Sequence, residues 1–511
     1  MDELEKEVRE LFASDPNPET IEKELLQMGF LKDDIDRAIH TITGKILSDK
    51  KHEKSKLEGK FFLKEIFDRI GFGFGSEQYI NILFLLSGAS YFLIAIINGI
   101  RAMISSGLSS YIRDYTQKKG VSKRLLSYSG LSLGLAFIFM AVATYFRSVS
   151  LFVFALIAGS VGVVAYGEFY QSTLKETLRE EKRGRMELVY KYGLVITILS
   201  LLIGAGLMDR LELYGITLTL LGMELSSRFL GYFFAFGIAA LFFILAGYVL
   251  CFINQGAGMM NLKDLLRHMP EYAKNLDADM KSIIRKKKIF ILVIAGSMTG
   301  MVQILGNSFY GIFIYDHFQN YGFGGFMNVA MISILALLVS LMTPHITRSN
   351  SKAYGKYPML IFGTVLMAIM PLAFYYNPNL VSLGIGTILG VMGAAILGIA
   401  NGLLSQELLP PDIKGNYFSA YTILTIIPYF LTVPLGAALV HFLGIQKMLL
   451  FLGLILLVLV APLYFVLLLF PNIDSRQDPR PASPPGTPKS GGQGKSTDRF
   501  INPANTGGVG K

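Results

Sequence analysis

The stretch 447-KMLLFLGLILLVLVAPLYFVLLLF-470 carries no charge after Lys447. A helix needs roughly 20 apolar residues to cross about 30 Å of hydrocarbon, and this run has them. In lipid only helices and closed barrels satisfy every backbone group. Barrel strands alternate apolar and polar residues with period two; this run is continuously apolar, so it reads as a membrane-spanning helix. Working back toward Tyr79, similar runs recur, separated by short joints rich in Lys and Arg. The fold class is therefore all-α: a polytopic helical membrane protein.

The composition agrees. Of 511 residues 52% are hydrophobic and 16% charged, the mean hydropathy is +0.48, and the 52 glycines suit close helix packing in lipid. The net charge of +10 does not point to nucleic acid, because the basic residues sit in the joints, where they orient helices and meet anionic lipid. The one cysteine, Cys251, allows neither an internal disulfide nor a cysteine metal site. The acidic, polar N-terminus is not a cleavable signal peptide, so the first membrane helix is expected to direct insertion. The six histidines (40, 52, 268, 317, 345 and 441) are scattered, and no metal, nucleophile-elbow or phosphate-loop motif is present. No cofactor is expected, and neither an enzyme nor an ATP-driven pump.

Residues 1–50 read as a soluble three-helix unit. Leu4, Val8 and Leu11 share one helical face, and Ile21, Leu25 and Met28 another. Residues 51–78 form a basic linker and an amphipathic interfacial helix, 61-FFLKEIFDRIGFGFG-75. A first six-helix half occupies 79–252, with spans expected near 79–97, 98–112, 126–146, 150–174, 186–208 and 229–252. The segment 79–112 reads as a tight hairpin or as one long broken helix; the hairpin keeps the next basic joint on the side of the N-terminal region. A long basic loop, 253–287, leads to a second half over 288–470, with spans near 288–313, 325–345, 357–376, 380–405, 416–440 and 446–470. Residues 471–511 are rich in Pro, Gly and Ser and are expected to be disordered. The basic joints alternate with joints almost free of Lys and Arg, which predicts that the basic joints and both termini are cytoplasmic, most simply at the plasma membrane.

The halves repeat one another. Glu176 precedes Gly184 by eight residues, and Glu407 precedes Gly415 by eight; Tyr190 and Tyr421 follow those glycines by six. Arg113 and Gly120 are seven apart in one joint, as are Arg348 and Gly355 in the other. With 182-KRGR-185 between helices four and five and a basic joint between helices two and three, this 6+6 plan over residues 79–470 resembles the major facilitator superfamily. The joint 107-GLSSYIRDYTQKKG-120 keeps a leading Gly, the pair Arg113–Asp114 and the later Gly120, in altered order relative to that family's usual motif. The resemblance implies alternating access and a cytoplasmic gate in which Arg113 and Arg183 meet Asp114 or Glu176, with Arg348 and Glu407 as second-half counterparts. Within the N-terminal unit, Met28, Gly29 and Phe30 form a Met-Gly-Phe turn that resembles a ubiquitin-associated (UBA-like) module, which implies a protein partner.

A charge within a span costs on the order of 2.5–3.5 kcal/mol on insertion scales, so those retained are candidate functional groups. Glu168, flanked by Tyr166 and Gln171, is the leading candidate for proton coupling or cation binding; its alternative is a structural ion pair with Arg101. Arg101, with Asn98, is either a substrate contact or a snorkelling side chain at a helix end. In the second half the polar candidates are uncharged: Gln303, Asn307, Tyr310 and Asn401. The expected function is a secondary transporter of a small-molecule solute, coupled to protons or another ion, or running as a uniporter. The rival is a non-transporting scaffold that presents the N-terminal unit.

Overall fold

The structure is a computed structural model that describes residues 59–469 apart from 120–122, 178–182, 214–217, 221–222, 226, 253–261 and 409–413, together with Val8, residues 18–28, Ile35, Ala38 and Ile39. The tail, residues 470–511, lies outside the described residues.

In the N-terminal region, α1 spans Pro18–Gln27. Its Ile21 and Leu25 join Val8, Ile35 and Ala38 in a small core of their own, while Met28 is 55% exposed. Gly29 and Phe30 lie outside the described residues.

The membrane bundle follows. Helix α2 covers 59–74, and α3 (Glu77–Leu86) continues it after a break at Gly75. Then come α4 (Tyr91–Lys119), α5 (Lys123–Tyr145), α6 (Val149–Thr177) and α7 (Arg183–Leu213). A two-stranded hairpin, Leu218–Leu220 paired antiparallel with Met223–Leu225, precedes α8 (Ser227–Cys251). Helix α9 (Leu262–Arg285) occupies the long joint. The second half consists of α10 (Lys287–Phe318), α11 (Gly325–Tyr354), α12 (Lys356–Tyr376) and α13 (Leu380–Leu408). It continues with α14 (Lys414–Ile426), α15 (Tyr429–Leu443), α16 (Ile445–Leu454), a π-helical stretch (Ile455–Val460) and α17 (Ala461–Leu469). Ten helices among the described residues are long and apolar enough to cross a membrane. Two further spans are broken: α2/α3 at Gly75, and α14/α15 at Pro428, which has no N–H to continue the helix. The chain is an integral membrane protein, and with these two broken spans the described residues hold twelve.

The first two spans differ from the expected ones. The hairpin across 97/98 does not form, because α4 runs unbroken through Asn98 and Arg101. The turn lies instead at 87–90, where Gly88 adopts φ +101°. Residues 61–75, expected at the interface, enter the bundle as the first half of span one. Phe61 and Phe74 belong to its buried core, and Gly73 lies so close to α7 that a Cβ there would stand 2.3 Å from Ser200 Cβ. Periodicity gives an amphipathic helix in either case; what it cannot show is that Lys64, Glu65 and Asp68 satisfy one another inside the bundle.

The repeat is visible in the helix boundaries. Glu176 and Glu407 are both penultimate residues of 29-residue helices, α6 and α13. Gly184 and Gly415 are both second residues of the helix that follows. The halves meet through α4 against α15, α7 against α11, and α3 against α10. Counted as spans these are two with eleven, five with eight, and one with seven. Exchanging the halves turns the first pair into the second and the third into itself, as a pseudo-two-fold axis requires.

Small residues permit the closest packing within each half. Gly130 and Gly247 bring α5 onto α8, and Gly393 brings α13 onto α12, where a Cβ would lie 2.4 Å from the backbone nitrogen of Met367. Backbone cannot yield there, so Gly393→Val is expected to cost about 1–3 kcal/mol by overpacking. Gly402→Val, on the same helix with nothing within 4 Å, should be near neutral. Thermal unfolding of the two variants in detergent separates them.

Candidate functional site

Three polar groups lie inside the bundle, and each is set by helical spacing on a particular face.

The first is on α2. Lys64 and Asp68, one turn apart, form an ion pair of 2.6 Å with side chains only 2% and 7% exposed, and Glu65 lies 3.8 Å from the same ammonium. Arg69 reaches Glu65 at 3.2 Å, so the four charges sum to zero. The cluster docks on α6. The Tyr166 hydroxyl donates to Asp68 at 2.7 Å, and the Lys64 ammonium stands 3.0 Å from the centre of the Tyr170 ring. Cation–π attraction of this kind strengthens when both partners are desolvated. Tyr166 therefore faces α2, on the opposite side of α6 from Glu168. Amphipathic periodicity alone places this segment at the interface; the signal for the cluster is the acidic and basic residues on the stripe that also carries Phe61.

The second is at mid-depth, on the seam between the halves. Arg101, 19% exposed, donates to Asn98 Oδ1 at 2.7 Å and to Ser160 Oγ at 3.1 Å, and its guanidinium lies 3.8 Å from Glu77. Two charge-assisted bonds at about 1.5–3 kcal/mol each match the insertion cost of about 2.5–3.5 kcal/mol. Arg101 is thus a fixed interior cation, neither snorkelling nor paired with Glu168. Asn98 passes the network on, donating to Asn81 Oδ1 and to Ser308 Oγ, both at 2.9 Å. Asn81 donates to the Asn307 carbonyl at 3.2 Å, and the Gly311 N–H donates to Gln78 Oε1 at 2.9 Å. Span one is thereby hydrogen-bonded to span seven. Gly311 is needed for it, since a Cβ there would stand 2.5 Å from that same oxygen. At the seam is a cavity of about 260 Å³, walled mostly by the second half and lined in part by Gln303, Asn307 and Tyr310, with Gln78 from the first half. Asn401 is not among its walls; it accepts from the Tyr421 hydroxyl at 3.4 Å.

The third group surrounds Glu168. Its carboxylate receives the Arg113 guanidinium at 2.7 Å and the Ser109 hydroxyl at 2.5 Å. Both line an open cleft of about 560 Å³, walled by serines of α4, by Gln171 on α6, and by Thr422 from the second half. The structure therefore joins the expected coupling carboxylate to the expected gate arginine. Asp114, the expected partner of Arg113, instead faces His268 of α9 at 3.5 Å. Glu407 pairs with Lys356 inside the second half rather than across the seam. Gly120 and the side chains of Glu176, Arg183 and Arg348 lie outside the described residues.

At the bundle face opposite the basic joints, Asp209 at the end of α7 accepts the N–H groups of Phe326 and Met327 at 3.0 and 2.8 Å. A carboxylate of one half thus caps the N-terminus of α11 in the other, where two otherwise unpaired donors and the helix dipole both favour it. Sequence reading missed Asp209, since a lone acid at a span end is ordinary until its partner is known.

The arrangement matches solved transporters in fold. The chain is similar to the nucleoside transporter NupG, with TM-score 0.59 at 13% identity, covering 80% of this chain and 98% of that one. It is similar to tetrameric PepTSo2, with TM-score 0.57 at 14% identity, covering 82% and 99%. It is also similar to a POT family transporter in complex with a thioalcohol-conjugated peptide, with TM-score 0.55 at 15% identity, covering 81% and 95%. No protein-family model matches the sequence, and no curated protein matches it.

The α2 cluster makes a stability test. Lys64→Met leaves Asp68 and Glu65 buried beside each other without their shared cation, at an expected cost of about 3–5 kcal/mol. Lys64→Met with Asp68→Leu removes both members of the closer pair and should recover most of that loss. Thermal unfolding in detergent reads both variants; equal destabilisation by the single and double changes would show that the pair is not the stabilising element.

Proposed function

We propose that the protein is a secondary transporter that moves a small solute by alternating access of its two halves, with Glu168 exchanging the coupling proton. The observation that carries this reading is the polar seam. Asn98 and Asn81 of one half, with Arg101 bonded behind Asn98, meet Ser308 and the Asn307 carbonyl of the other, beside a cavity and a cleft. An anchor that only held the protein in the membrane would be as stable or more so with apolar packing there. Hydrogen bonds between two similar bundles can instead be broken and remade as the bundles rock. The neighbouring folds support the reading: those proteins carry nucleosides and peptides.

The cycle follows from the charges. Ionised Glu168 holds Arg113, which ties α4 to α6 along the cleft. Protonation removes the attraction and frees the two helices to shift. The cleft lies toward the basic joints, since Glu168 is nine residues from the end of α6 and Arg113 six from the end of α4. With Lys and Arg marking the cytoplasmic side, the cleft faces the cytoplasm. The Asp209 cap then closes the outer face, and the outward-open state requires its rupture.

The test is solute uptake by proteoliposomes under an imposed proton gradient. Glu168→Gln fixes the side chain in the neutral form. Gradient-driven accumulation is expected to be lost, while solute exchange, which moves no net proton, persists. Accumulation retained in the variant would remove Glu168 from the coupling. No flux with any solute would favour the scaffold reading, which rests on Met28, 55% exposed beside the small N-terminal core.

A further inference from the structure

The cavity beside the seam has a feature the transport reading does not use: its wall carries no charge. The polar groups are Gln78, Gln303, Asn307, Tyr310, Ser333 and Thr387, set among small and apolar residues that include Met367 and Met370. Gln303 and Asn307 are exposed at the middle of a 32-residue span, and both line this hollow. Thr387 on α13 is the second observation. It is 1% exposed, lines the cavity, and its hydroxyl has no hydrogen-bond partner in the structure. A buried hydroxyl left unpaired is unfavourable, and turning it into the second rotamer that a helical Thr allows would present it to a ligand in the cavity. The volume of about 260 Å³ falls just under the range of about 300–1,000 Å³ usual for ligand pockets, and a mostly apolar wall with a few placed polar groups is the usual composition of such pockets.

We propose that this cavity is the solute site and that it takes an uncharged molecule with hydrogen-bonding groups on a largely apolar body. The inference rests on the transport reading and adds the substrate class. An ion entering the cavity leaves its hydration behind and meets no counter-charge, and the effective penalty is several kcal/mol per charge. A zwitterion meets that penalty at both ends. The fixed charges near the seam are already engaged: Arg101 with Asn98, Ser160 and Glu77, and Glu168 with Arg113. Amides, a phenol and hydroxyls remain for a neutral solute, and the two thioethers suit an aromatic ring. By this chemistry a nucleoside-like molecule fits the cavity and a peptide with charged ends does not.

The test does not require the natural solute. In a Cys251→Ser background, Ser333→Cys is reacted with neutral 2-hydroxyethyl methanethiosulfonate and with its ammonioethyl and sulfonatoethyl counterparts. Rates are taken relative to Tyr321→Cys, whose position is 70% exposed. The neutral reagent is expected to react at least tenfold faster than either charged one after that normalisation, and uridine is expected to slow it where dialanine does not. Thr387→Val should weaken the uridine protection by about five- to tenfold, the loss of one hydrogen bond, and Thr387→Ser should restore it. Equal rates for all three reagents, or protection by dialanine rather than uridine, would overturn the proposal. Labelling is read without flux. A charge-selective cavity in a protein that moves no solute would sink the transport reading and leave the site; uptake confined to charged solutes would do the reverse.

Discussion

The ion pair between Lys64 and Asp68 decides how the chain enters the membrane. Without it, a segment with four charges in six residues belongs at the interface, and span one would have to begin after Ser76. With it, the charges cancel locally, Tyr166 and Tyr170 cover them, and α2 becomes the first half of a full span. Everything after that point depends on the outcome. Helix α3 is carried to mid-depth, which places Gln78 and Asn81 against span seven, and α4 is left free to run as one 29-residue helix with Arg101 on its inner face.

This explains what the sequence made legible and what it did not. Apolar runs longer than a bilayer is thick admit one solution, so ten spans and the 6+6 plan were readable without coordinates. The repeat was readable too, because Glu176 and Glu407 mark helix ends, and ends are specified locally. The first span was misplaced for the opposite reason. Whether a charged stripe lies in the membrane is decided by partners distant along the chain, and the tyrosines of α6 do not announce themselves as those partners. The same holds within the candidate site. Glu168, Gln303, Asn307 and Tyr310 stood out because polar groups in apolar runs are costly. That Glu168 meets Arg113 rather than Arg101 is a matter of helix rotation, which spacing along one helix does not determine. Glu168, Gly167, Val164 and Gln171 share the cleft face of α6, and Tyr166 and Tyr170 necessarily take another.

The halves share a plan but not a chemistry. Between Phe290 and Tyr315, and again through the interiors of the later spans, the second half contains no Asp, Glu, Lys or Arg. The first half holds Lys64, Glu65, Asp68, Arg101 and Glu168 within its spans. A duplicated unit has no physical need for such asymmetry, since either half could bury paired charges at similar cost. Under the proposed function, a division of tasks would account for it. Charges suit proton exchange, because their pairing changes with protonation; an uncharged wall suits recognition of a neutral solute, because it holds its hydrogen-bonding geometry whatever the proton does.

Under that proposal the seam would couple the two tasks, and its construction suits that purpose. Across it run hydrogen bonds of ordinary strength, each worth about 0.5–1.5 kcal/mol net, and small residues at points of closest approach. Gly99 packs against Val433, and Gly311 against Gln78. No buried ion pair crosses between the halves among the described residues; the ionic clusters lie within the first half, where their rupture at about 3–5 kcal/mol would otherwise lock the interface. Asp209 and Asp316 are exceptions in charge but not in kind: Asp316 accepts the Tyr91 hydroxyl at 3.3 Å and Asp209 binds backbone N–H groups at a helix end, in neither case a counter-ion. Such a cap contributes about 1 kcal/mol, enough to bias one arrangement of the halves over another and small enough for solute binding to reverse.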